Sequence, residues 1–130
     1  MMFFKRLKIL KRIVVAVTIL LGLIIAMISL SSIPLIGSIG PVGIDKIYHA
    51  LAFFSLVFPL SLVRPRLILW ILLGVMAFGG FIELAQGLFG RQFDWADFIA
   101  NGIGAIFGAL IARQLGFWVF LSDNMKIFKD

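Results

Sequence analysis

The feature that most constrains this chain is a series of four apolar runs, each close to the length of a bilayer-crossing helix and each bounded by charged or turn-forming residues. They extend from about Ile13 to Leu30, Ile47 to Val63, Leu67 to Leu88 and Trp95 to Ala112. Backbone N–H and C=O groups in hydrocarbon must find partners within their own segment, so runs of this length imply helices. Four spans of roughly 20 residues with short connections occupy nearly the whole chain. The expectation is an all-α integral membrane four-helix bundle, a single domain over residues 1–130. Composition agrees, since 62% of residues are hydrophobic and the mean hydropathy is +1.15, where soluble domains are apolar over roughly half their residues.

The first run follows the basic stretch KRLKILKR, Lys5 to Arg12. It is longer than the roughly 7–15 residues of a signal-peptide core, which favours an uncleaved helix. Arg64-Pro65-Arg66 reads as a turn at an aqueous face, and the segment after Arg113 reads as an interfacial tail. With the N-terminus in the cytoplasm, ten of the twelve Lys and Arg residues lie on the inner side. Only Lys46 and Arg91 fall outside. This positive-inside asymmetry and the even number of spans place both termini in the cytoplasm. Tyr48 and Trp95 at outer ends, with Trp70 and Trp118 at inner ends, suit interfacial anchors. The net charge of +6 therefore reports membrane orientation and anionic headgroups rather than nucleic acid. The absence of cysteine excludes disulfides, thiolate chemistry and cysteine zinc sites.

The remaining polar residues gather at the outer end. Asp45, Lys46 and His49 open the second run, Glu83 and Gln86 close the third, and Arg91, Asp94, Asp97 and Asn101 open the fourth. Spacings of three and four residues put Asp45 with His49, Glu83 with Gln86, and Asp97 with Asn101 on shared helix faces. Gly104 and Gly108 continue the face of Asn101 as a GxxxG that permits close packing. Gly79 and Gly80 share the face of Glu83. The sole histidine and sole glutamate are hardest to explain as helix furniture, because one titrates near neutrality and the other lies roughly 7.5 Å below the boundary at Leu88. Simpler roles suit the others. Asp45 and Asp94 are placed as N-caps, Asp97 favours a helix N-terminus, Lys46 reads as a solvated flank, Arg91 as a partner for Asp94 or Asp97, and Asn101 as an interhelical hydrogen-bonding residue.

DKIYHALAFF (Asp45 to Phe54) and IELAQGLFGRQFDWADFIANGIGAIFG (Ile82 to Gly108) resemble the two signature segments of the VanZ-like membrane protein family. The resemblance rests on Asp45, Lys46, His49 and Phe53, then Glu83, Gln86, Arg91, Asp94, Asp97, Asn101, Gly104 and Gly108 in order. It covers about residues 45–112. It implies a bacterial envelope setting, because the family's name comes from a protein associated with low-level teicoplanin resistance. It implies no particular reaction.

Three functional expectations follow. The leading one is a multi-pass protein of the bacterial cytoplasmic (inner) membrane with an extracytoplasmic, outer-leaflet site. That site binds or modifies an envelope lipid, lipid-linked glycan or lipopeptide, with an effect on glycopeptide susceptibility. His49 and Glu83 would move a proton, while Gln86, Arg91, Asp97, Asn101, Asp45, Lys46 and Asp94 would hold the ligand, the two cations taking a phosphate or carboxylate. The second is a small proton-coupled transporter working as a dimer, and the third a non-catalytic scaffold. A divalent metal on Asp45, His49, Glu83, Asp94 and Asp97 is a lesser alternative, and no cofactor is assigned. Partners are membrane lipids and a second copy of the chain, not nucleic acid.

Overall fold

A computed structural model describes the backbone of residues 2–31, 43–89 and 93–127, and the side chains of 8–31, 43–89 and 93–116. Arg91 and Lys129 lie outside the described residues, as do the side chains of Lys5, Arg6, Trp118 and Lys126. Four α-helices form the bundle: α1 (Met2–Leu30), α2 (Ile44–Val63), α3 (Ile68–Gln86) and α4 (Trp95–Ile127). Short 3-10 turns, Pro65–Leu67 and Gly87–Phe89, flank α3. Four segments are long and apolar enough to cross a membrane: Lys8–Leu30, Ile44–Val63, Pro65–Phe89, which is α3 with its two flanking turns, and Trp95–Gly116. The expected all-α bundle of four such helices is what the chain forms.

Two helix ends differ from expectation. The basic stretch Lys5 to Arg12 is already helical, because α1 starts at Met2 and runs without a break into its apolar span. At the other end, the segment read as an interfacial tail continues α4 to Ile127. At 1.5 Å per residue, that helix of 33 residues is about 50 Å long, well beyond the roughly 30 Å of a hydrocarbon core.

The bundle inverts the arrangement of a soluble protein. Large apolar side chains point outward, among them Leu69, Leu84, Ile103 and Phe107, as expected where lipid is the solvent. The interior combines small residues and a few larger apolar ones, Phe53, Leu56 and Ile82 among them, with selected polar ones. Val57, Ile71, Ala105 and Ala109 form the central apolar cluster, bordered by Leu60, Leu72, Val75 and Met76.

The closest helix pair is α2 with α4, and its cause is glycine. A Cβ added to Gly104 would collide with the carbonyl of Ala50, reaching its carbonyl carbon at 2.6 Å. One added to Gly108 would meet the Phe54 oxygen at 3.0 Å and the Phe58 nitrogen at 3.2 Å. The GxxxG thus serves the packing read from sequence, with α2 as partner. Gly79 on α3 accommodates the ring of Phe53, which a Cβ would approach to 2.8 Å. By contrast α1 packs loosely, touching its neighbours near Gly22, where Phe78 and Leu56 are at ordinary van der Waals distance.

Gly104→Ala should therefore destabilise the bundle by about 1–3 kcal/mol or more through overpacking against backbone that cannot yield. Gly74→Ala, with nothing within 4 Å of the added methyl, should be neutral or stabilising by up to about 1 kcal/mol. Thermal unfolding of both variants in detergent checks this, and equal stability would contradict the packing.

Candidate functional site

The close approach of α2 and α4 brings the first turns of both helices side by side. Gly43 opens α2 with φ of 91°, a left-handed conformation that glycine adopts without strain. This corrects the expected capping role of Asp45, which falls inside the first turn and makes no cap. Its Oδ2 instead accepts a 2.7 Å bond from Lys46 Nζ.

Asp94 does cap α4. Its Oδ1 accepts the Ala96 N–H at 2.8 Å, satisfying an N–H left without an intrahelical partner, and its carbonyl accepts the Phe98 N–H at 3.1 Å as the first bond of the helix. The same residue links the other helices. Its own N–H donates to Glu83 Oε2 on α3 at 3.3 Å, and its Oδ2 accepts Lys46 Nζ from α2 at 2.8 Å.

Lys46 is not a solvated flank. Its ammonium donates to Asp45, Asp94 and, at 2.6 Å, Asp97 Oδ1, so its three protons meet three carboxylates. Each of its donors is engaged within the protein, so an anion at Lys46 would compete with Asp45, Asp94 and Asp97. Asp97 is buried, and its position in the first turn of α4 serves Lys46 and His49 rather than the helix dipole alone. His49 lies one turn below Lys46. Its Nδ1 is 3.0 Å from Asn101 Oδ1 and its Nε2 is 3.4 Å from Asp97 Oδ2. The pair that α2 turns toward α4 is therefore Lys46 with His49.

Glu83 is fully buried on α3. Oε2 is held by Asp94, while Oε1 has no hydrogen-bond partner. One ligand atom each from His49, Glu83 and Asp97 lie within 4.8 Å of one another. Asp45 and Asp94, engaged by Lys46, are not in this group. Gln86 is equally buried but turns elsewhere, its Nε2 donating to the Ser29 carbonyl of α1 at 3.1 Å. Sequence spacing gave no signal for that contact, because a bond from a side chain to a distant backbone carbonyl leaves no periodic trace. At the rim, Phe93, Trp95 and Phe98 pack edge to face or tilted, with Trp95 and Tyr48 exposed.

Comparison with known proteins identifies the family: a model described as VanZ/LLP1 matches residues 15–120. The chain belongs to the VanZ/LLP1 family. The match starts within α1 and ends within α4, further in both directions than the two signature segments. Comparisons with curated proteins and with solved structures each found no match. Family membership and four span-length helices make this a multi-pass membrane protein of the VanZ type.

Asp94 lies just outside the span of α4, and the ammonium of Lys46 holds its carboxyl below the usual aspartate range. A lowered folded value means its stabilisation is present above the unfolded pKa and lost as the pH falls through the folded one. Wild-type protein should thus lose thermal stability on acidification below about pH 4, and Asp94→Asn should start lower and decline less over that interval. Parallel curves would show that the Lys46–Asp94 contact contributes nothing.

Proposed function

We propose that this VanZ-type protein binds the polar part of an envelope amphiphile at the end of the bundle where Lys46, His49, Glu83, Asp97 and Asn101 converge. In this reading one domain spans residues 1–130 of a bacterial cytoplasmic membrane protein, its termini cytoplasmic and the polar end in the outer leaflet. The carrying observation is the group of part-buried His49 with buried Glu83 and Asp97 beneath the partly exposed Lys46 rim, beside exposed Tyr48 and Trp95. A polar interior next to a lipid-facing aromatic rim suits a molecule that is itself polar at one end and apolar at the other.

The charge balance selects among ligands. Among the described residues, the cluster holds four carboxyl groups and one ammonium, three of the four bonded to it. A phosphate would meet a negative field, whereas sugar hydroxyls, amides and amines would find acceptors. The reading therefore favours a lipid-linked glycan or a lipopeptide over a phospholipid headgroup, and glycopeptide susceptibility is the phenotype such binding would alter. His49 and Glu83 supply the groups for proton transfer if the ligand is modified.

A scaffold reading is favoured by one specific observation, the saturation of Lys46, which joins α2 to α4 without any ligand. Lipids co-purifying with wild type, His49→Ala and Glu83→Gln, identified by mass spectrometry, separate the two. Ligand binding predicts a glycolipid or lipopeptide retained by wild type and depleted about tenfold or more in folded variants, the effect of losing one charge-assisted hydrogen bond. Unchanged lipids with lowered thermal stability in both variants would leave the scaffold.

A further inference from the structure

The side chains at the base of the cluster turn lone pairs toward one another that a proton or a cation must reconcile. Asn101 Oδ1, at 3.0 Å, is an acceptor, so His49 Nδ1 carries the proton. In its neutral form the imidazole presents the Nε2 lone pair to Asp97 Oδ2 at 3.4 Å, one acceptor facing another. Beside them stands Glu83, fully buried, with Oε1 unpartnered. A buried acceptor in that condition is costly, and a buried carboxylate more so. Lys46 does not resolve the conflict, because its donors go to Asp45, Asp94 and the other oxygen of Asp97.

We propose that His49, Glu83 and Asp97 bind a divalent first-row transition cation, with Zn2+ or Mn2+ as the matching type. One imidazole and two carboxylates suit such ions, while Ca2+ and Mg2+ take oxygen sets with more ligands or bound waters. The donor atoms lie within 4.8 Å of one another. An ion held at about 2.0–2.2 Å draws its ligands to roughly 3–4 Å apart, so about an ångström of side-chain adjustment closes the site. The excess of negative charge falls by two when the ion enters. Asn101 becomes the partner that fixes the imidazole with Nε2 toward the metal, the role such outer hydrogen bonds play at metal sites. Positions left open by three protein ligands would take water or a ligand group. The inference holds whether or not an amphiphile binds.

The test uses tag-free, full-length protein in detergent, stripped with chelator and titrated with Zn2+ or Mn2+ alone. About one ion per chain by elemental analysis, a higher Tm in its presence, and at least a tenfold loss of affinity in Glu83→Gln and His49→Gln are expected. Asn101→Leu should weaken binding about 10–100-fold. X-ray absorption at the zinc edge of wild type should show imidazole together with oxygen donors, and this holds even if a variant fails to fold. Substoichiometric metal, affinity unchanged in a folded Glu83→Gln, or an edge spectrum without imidazole would overturn the proposal and leave a proton shared between His49, Asp97 and Glu83.

Discussion

Everything at the polar end depends on the distance between two helix backbones. Gly104 and Gly108 let α4 lie against Ala50, Phe54 and Phe58 of α2, so closely that a single methyl group at Gly104 would meet backbone. Helices packed through larger side chains sit about 8–10 Å apart. The short reach of His49 to Asn101 and Asp97 depends on the tighter approach, and so does the placing of Lys46 among Asp94 and Asp97. In lipid there is little hydrophobic drive between helices, so close packing and polar contacts must hold the pair together. Here the two coincide on one seam, with glycine below and charge above.

The charges are arranged in depth. Lys46 and its aspartates form a partly exposed rim, and His49, Asp97, Asn101 and Glu83 become progressively more enclosed beneath it. Asp94 connects the levels, capping α4, accepting Lys46 and donating its N–H to Glu83. Saturation of the rim and unmet demand at the base are two sides of one geometry. Three carboxylates satisfy the only ammonium among them, which leaves the inner donors to find a proton, a cation or a ligand. That division separates the part of the cluster that holds helices together from the part equipped for chemistry.

Much of this was legible in the sequence, because its causes are periodic. Apolar runs of bilayer length gave the four spans, and spacings of three and four residues gathered Glu83, Asp97 and Asn101 inward. The GxxxG of α4 announced close packing, but not that α2 would be the partner, since a small-residue stripe carries no address. Lys46 was misread for a related reason: a long flexible side chain reaches three carboxylates on two helices, and no spacing rule registers that. Asp45 loses its cap because Gly43 starts the helix earlier. Gln86 leaves the cluster for a backbone carbonyl of α1. Arg91 lies outside the described residues, so its expected pairing with Asp94 or Asp97 stands as an expectation.

A charge network at one end of the bundle joins α2 to α4. A double-mutant cycle on Lys46→Met and Asp97→Asn, read as unfolding free energies in mixed micelles, tests it directly. The 2.6 Å contact predicts a coupling of about 1 kcal/mol or more between the two positions. Effects that add to within about 0.3–0.5 kcal/mol would mean that the two residues do not meet in the folded protein, and the site described at that end would not exist as such.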